Sequence, residues 1–135
     1  DVVAQNILNN LKYAEEHIKV DGDGNNTINR AVVQSLISRF CLFEGTWRKY
    51  HALQNATTYL EECTRASKEV MNKYTTLHPN YEELFNSESL DGINGIILYK
   101  EYATSQLCHG LTRMVRTGES QIEATKRCCR QLFVQ

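Results

Sequence analysis

Apolar residues recur along this chain at steps of three and four, the spacing that lines one face of an α-helix. Val3, Ile7, Leu11, Ala14 and Ile18 predict a first helix over about residues 2–20. The run Asp21-Gly22-Asp23-Gly24-Asn25-Asn26 then breaks the period with residues that favour turns. The strongest stripe follows, through Ile28, Val32, Val33, Leu36, Ile37, Phe40, Phe43, Trp47 and Tyr50. A Trp in such a stripe belongs to a core, and Gly45 is a point where this helix bends or breaks, at about 1 kcal/mol relative to Ala. A third helix is expected from near Thr58, where Thr58-Tyr59-Leu60-Glu61 has the form of a capping box. Its inner face would carry Leu60, Cys63, Ala66, Val70, Tyr74 and Leu77. Pro79 fits the first turn of a short helix over 81–85, where its missing N–H does no harm.

A fifth segment, about 93–117, takes its face from Ile93, Ile96, Ile97, Ala103, Leu107, Leu111 and Met114. Gly118 stops it, and a second capping box, Ser120-Gln121-Ile122-Glu123, opens a last helix through Phe133. The pattern predicts an all-α fold, a compact disulfide-stapled bundle of five to six helices in one domain spanning 1–135.

The staples are read from the cysteines at 41, 63, 108, 128 and 129. Facing residues of an antiparallel helical hairpin lie equally far from its turn. Cys41 and Cys63 centre on position 52, beside the turn signal Gln54-Asn55-Ala56-Thr57. Cys108 centres with Cys128 on Gly118, and with Cys129 half a residue further on. A bridge closing about 20 residues contributes about 3 kcal/mol in the chain-entropy model. Around the last helix Cys129 lies between Ile122 and Phe133 while Cys128 turns to the flank, which favours Cys108–Cys129 with Cys128 unpaired or intermolecular. The alternative, Cys108–Cys128, leaves Cys129 as a buried thiol. Cys128 could join a second chain, so a disulfide-linked or non-covalent dimer is among the expected states.

Composition narrows the function more by exclusion than by indication. The chain has 135 residues, a net charge of -1, 41% apolar residues and a single Pro. Nothing global points to nucleic acid, and no apolar run reaches the ~20 residues that cross a bilayer. The start at Asp1 reads as a mature secreted chain. Asn25-Asn26-Thr27 and Asn55-Ala56-Thr57 are glycosylation sequons, with Asn25 and Asn55 as acceptors.

Chemistry-bearing motifs are sparse. Asp21 to Asn29 resembles the first nine positions of an EF-hand calcium loop, with Asp21, Asp23 and Asn25 as its ligands. Its sixth position is Asn26 instead of Gly and its twelfth is Val32 instead of Glu, so a polar turn that caps a helix is preferred and no metal is expected. His17, His51, His78 and His109 form no HExxH. Cys108 and His109 face about 100° apart on a helix, poor geometry for a nucleophile and its base. The paired acids Glu15-Glu16, Glu61-Glu62 and Glu82-Glu83 read as solvated faces. No phosphate loop or dinucleotide fingerprint is present. No catalytic residue and no cofactor is expected, and the chain is read as a non-enzyme. From Cys108 onward, Arg113, Arg116, Lys126, Arg127 and Arg130 outnumber Glu119 and Glu123. These five basic residues are a candidate surface for an acidic partner.

The cysteines on helical faces and the amphipathic tail Arg127-Cys128-Cys129-Arg130-Gln131-Leu132-Phe133 resemble those of the small all-helical proteins of mosquito saliva, of the aegyptin carboxy-terminal domain and albicin type. The resemblance implies a secreted, non-enzymatic effector of blood feeding that binds a host haemostatic or innate-immune protein of the complement, platelet or neutrophil pathway. It carries over no functional residue. Two alternatives come from other classes: a helical carrier of a small hydrophobic ligand, with Phe40, Trp47, Tyr74 and Met114 around its pocket, and a cytokine-like helix bundle.

Overall fold

The computed structural model describes residues 2–102. The chain divides into two units, Asp1–Tyr99 and Lys100–Gln135, and the first holds the architecture below. It is all-α: the helices are α1 (Val2–His17), α2 (Arg30–Tyr50), α3 (Ala56–Lys73) and α4 (Tyr81–Asn86), with no strand among the described residues.

The centre is an α2–α3 hairpin with α1 packed against α2. Leu8 of α1, Val33, Ile37 and Cys41 of α2, and Tyr59 and Ala66 of α3 are its buried residues, ringed by Ala4, Leu11, Ala14, Ile18, Phe40 and Cys63. Leu11, Ala14 and Ile18 thus serve as predicted, but Val3 and Ile7 are exposed and Leu8 is buried. On α1 the inward line runs through Ala4, Leu8 and Leu11, about 100° away from the side that Val3 and Ile7 would centre.

Helix ends follow local chemistry. Asn29 caps α2 by accepting the Val32 N–H on Oδ1 at 3.1 Å, an Asx cap of the ordinary kind. The capping box expected at Thr58 does not form. Helix α3 starts at Ala56, after a left-handed Asn55 that makes no side-chain cap, which places Thr58 inside the first turn. Pro79 is not in the first turn of α4 either. Asn80 is the cap, accepting the Glu83 N–H at 3.2 Å, and Pro79 precedes it.

The fifth predicted helix does not begin at Ile93. Residues 90–96 form successive turns, closed by Ile93 N–H to Leu90 O and Ile96 N–H to Ile93 O, both 3.3 Å. Gly92 and Gly95 sit at φ 72° and 87°, a region an L-residue rarely enters. Residues 97–102 are not helical either. The predicted helix from 103 onward, the last helix and their residues (Cys108, His109, Arg113, Met114, Arg116, Gly118, Lys126, Arg127, Cys128, Cys129 and Arg130) lie outside the described residues. Four helices are described, against the five to six expected of the whole chain.

The α2–α3 hairpin has the predicted register. Ser38 on α2 meets Ser67 on α3, Oγ to Oγ at 2.7 Å, and Gly45 meets Leu60. Both pairs centre on the loop at 51–55. Gly45 does not break α2, which runs on to Tyr50. A Cβ there would stand 2.8 Å from Leu60 Cγ and Cδ2, so the glycine permits close approach of the two helices. The covalent staple expected across this hairpin is absent. Cys41 and Cys63 are free thiols, and Cys63 Sγ lies 3.7 Å from Ser38 Oγ. Packing and polar contacts hold the hairpin.

Candidate functional site

The outer face of α2 carries the most conspicuous exposed surface among the described residues. Val33, Ile37, Cys41 and Arg48 are buried on one side of the helix. Leu36, Phe43, Trp47 and Tyr50, at steps of seven, four and three, form a second line about 100° away. These four are 50%, 64%, 52% and 88% exposed. The Phe43 and Trp47 rings lie near parallel with centroids 6.4 Å apart, and the His51 ring sits 4.0 Å from that of Trp47. The sequence assigned this whole stripe to a core. The helix instead divides it, giving Val33 and Ile37 to the hairpin core and the aromatics to the surface. A helix carrying apolar residues over more than one face is recognisable from sequence; which line faces solvent depends on where α1 and α3 dock.

Behind the stripe, Arg48 is buried with 2% exposure. It donates from Nε to Glu44 at 2.8 Å and from NH1 to the Gln54 carbonyl at 2.9 Å. Its guanidinium also covers the Tyr59 ring, 4.9 Å from the centroid. One cation thus satisfies a loop carbonyl, a carboxylate and an aromatic face at the end of the hairpin. Sequence reasoning left Arg48 out. Its spacing from Glu44 was visible, but its burial was not.

A second network joins the three long helices. Arg65 of α3 donates to both oxygens of Glu15 on α1, at 3.1 and 2.7 Å, and to Glu62 on α3 at 2.7 and 3.0 Å. Gln34 of α2 donates to Glu15 at 2.9 Å, and Lys12 pairs with Glu62 at 3.4 Å. Burial by itself would raise the Glu15 pKa, but hydrogen bonds from Arg65 and Gln34 and the Arg65 charge hold it below the usual range. Glu62 likewise lies low, its desolvation outweighed by Arg65 and Lys12, and Arg65 is held more firmly protonated by the two carboxylates. Glu15 and Glu62 are therefore not merely solvated, as their pairing with Glu16 and Glu61 suggested. Each sends one member of its pair into a clamp between helices.

The other predicted residues are placed as follows. Asp21 accepts from Lys73 at 2.7 Å, and Asp23 pairs with Lys19. The calcium-like loop thus turns its two carboxylates onto separate lysines, and the described residues contain no group of three or more metal-ligating side chains. Asn25 and Asn55, the sequon asparagines, are both exposed. His17 contacts the Tyr13 carbonyl at 2.8 Å and stacks on the Tyr13 ring, and His78 contacts the Asn80 carbonyl at 2.8 Å. The described histidines occupy separate places. Burial pushes the Cys41 thiol up to about 11, with the Glu62 charge adding to it, the opposite of an activated nucleophile. Of the proposed ligand pocket, Phe40 packs edge-on against Tyr59 and Tyr74 lines a polar cleft, while Trp47 is on the outer face.

That cleft lies between the 21–29 loop and the 90–99 turns, and encloses about 330 Å³. Asn26 straps its two sides together by accepting the Tyr99 N–H on Oδ1 at 2.9 Å. No helix among the described residues is long and apolar enough to cross a membrane. Comparison with protein-family models, curated proteins and solved structures gave no match for this chain.

Proposed function

We propose that this chain is a secreted, non-enzymatic binding protein whose α2 stripe of Leu36, Phe43, Trp47 and Tyr50 takes a host protein of the haemostatic or innate-immune systems. The observation behind the proposal is the pairing of a filled hairpin core with an exposed aromatic line on the same helix. Trp and Tyr are the side chains that most often dominate protein interfaces, and contiguous exposed apolar surface marks interaction sites. The host partner rests on the resemblance to mosquito salivary helical proteins. Secretion would also bring the thiols to an oxidising compartment. The proposal there includes closure of Cys41 with Cys63 and of Cys108 with Cys129, leaving Cys128 for a second chain. The basic residues Arg113, Arg116, Lys126, Arg127 and Arg130 would add an electrostatic component.

The test is capture from vertebrate plasma on the immobilised chain, with mass-spectrometric identification of what is retained. One named component of the complement, platelet or neutrophil pathways should bind, and Phe43→Ser with Trp47→Ser should weaken it by about thirtyfold or more, the effect of losing a hot spot of about 2 kcal/mol. Affinity that is flat with salt would remove the basic residues from the proposal. Retention of no plasma protein, with lipid copurifying from the expression host, would favour the carrier of a small hydrophobic ligand instead.

A further inference from the structure

The cleft between the 21–29 loop and the 90–99 turns has the chemistry of a ligand site that the aromatic stripe does not use. Its framework is fixed by contacts within and between the two loops. Thr27 Oγ1 donates to the Gly24 carbonyl at 2.7 Å and accepts the Asp23 N–H at 3.2 Å, which closes the first loop. Lys73 ties Asp21 to α3. Asn26 spends its side-chain oxygen on Tyr99 N–H, and Asn29 spends its own on the α2 cap. Gly95 lets the second loop press against Leu77, where a Cβ would come within 2.9 Å. The loops are thus held in place before any ligand arrives, which lowers the ordering cost of binding.

The groups left facing the space define what fits. Asn25, Asn94 and Asp91 bring amide and carboxylate chemistry to the lining, while Tyr74 brings an aromatic ring and the second loop its aliphatic side chains. Two carboxylates, Asp21 and Asp91, line the cleft, and among the described residues no Lys, Arg or His does. A phosphate, sulfate or carboxylate ligand would be repelled by Asp91, and Lys73 is already engaged by Asp21. A hydrophobic ligand would desolvate carboxylate and amides without replacing their hydrogen bonds. A divalent cation would find one carboxylate already neutralised by Lys73 and only Asp91 beside amides, too few charged oxygens. A neutral polyhydroxylated ring satisfies every one of these conditions. Its hydroxyls both donate and accept, and its C–H face can lie on Tyr74. At about 330 Å³ the cleft is at the small end of ligand sites.

We propose that this cleft binds a neutral saccharide, taking about one sugar ring, with Asp91 and Asn94 hydrogen-bonding its hydroxyls and Tyr74 beneath its apolar face. The test uses the full chain made without its own glycans, so that Asn25 is bare. Saturation-transfer NMR would be recorded with glucose, galactose, mannose and N-acetylglucosamine, each at millimolar concentration. At least one sugar should receive saturation. The signal should fall at least tenfold in Asp91→Ala/Asn94→Ala and stay unchanged in Phe43→Ser/Trp47→Ser, which alters the stripe alone. Circular dichroism of the first variant should match the parent, since neither position lies in a helix. No transfer to any of the four sugars would overturn the proposal, as would transfer that survives Asp91→Ala/Asn94→Ala. Calorimetric binding of calcium or inorganic phosphate that is lost in that same variant would overturn it too, by showing that the cleft selects a charged ligand.

Discussion

Replacing Gly45 by Ala sets helix propensity against packing at one atom. In an exposed helix interior the change would stabilise by about 1 kcal/mol, because Ala loses less backbone entropy on folding. At Gly45 the new Cβ would stand 2.8 Å from Leu60 Cγ and Cδ2 and 3.2 Å from the Leu60 backbone N. The two side-chain contacts are the severe ones, and Leu60 can clear Cγ only by turning about χ1 inside a packed helix interface. The backbone contact is milder and adds to the strain. Overpacking of this kind costs about 1–3 kcal/mol, so the net expectation is a loss of about 1 kcal/mol. The assay is urea unfolding followed by far-ultraviolet circular dichroism, in which the midpoint should fall with an unchanged slope. Leu60→Ala removes the clashing methyls, so Gly45→Ala should cost less in that background, or even stabilise. The coupling between the two changes should reach about 1 kcal/mol. A Gly45→Ala chain more stable than its parent, or additive effects of the two substitutions, would refute close helix approach as the reason for the glycine.

Arg48→Met should destabilise by about 3 kcal/mol, since it leaves Glu44 and the Gln54 carbonyl without their buried partner; chemical denaturation measures it. Glu15 and Glu62 have lowered folded pKa values. Their clamp therefore supports the fold above the unfolded carboxylate range and is lost as pH falls through the depressed values. Arg65→Met should flatten that acid dependence while lowering stability near neutrality, read as unfolding free energy against pH. In the reduced chain, a thiol reagent followed by peptide mass analysis should label Cys63 well before Cys41, whose thiol is fully buried and raised to about 11; equal rates would contradict that burial. Asn29→Ala should cost about 1 kcal/mol through loss of the α2 cap, with Asn29→Ser restoring most of it.

The sequence was most informative where a local rule decides. Helical spacing located the three long helices, Pro79 marked the short one, and the turn signals at 21–26 and 54–57 located the α1–α2 and α2–α3 connections. The midpoint of Cys41 and Cys63 gave the hairpin register, which Ser38 with Ser67 bears out. It was misleading where tertiary contact decides. Thr58-Tyr59-Leu60-Glu61 has the right letters for a cap, yet Asn55 in the left-handed region started α3 earlier. Ile93, Ile96 and Ile97 have helical spacing, yet Gly92 and Gly95 at positive φ turned the chain there. The aromatic stripe was legible as a row of residues but not as a surface, because apolar periodicity does not say which side of a helix its neighbours will cover. The polar cleft was illegible, since it joins Asn26 to Tyr99 across more than half of the chain.

The loop at 51–55 bears on the order in which this protein assembles. It joins α2 and α3 directly, and those two helices share the most extensive interface among the described residues. Contacts that close over so few residues carry little loop entropy, and such topologies fold quickly. The α2–α3 hairpin is thus the natural nucleus, and α1 can dock on it only once Leu8 has Ile37 and its neighbours to meet. Amide hydrogen exchange should then show two tiers, with Ile37 and Ala66 protected to the global limit and α1 opening at lower free energy. If the aromatic stripe does hold a partner, it sits on the tier that opens last, so the chain could lose α1 transiently and still present its binding face intact.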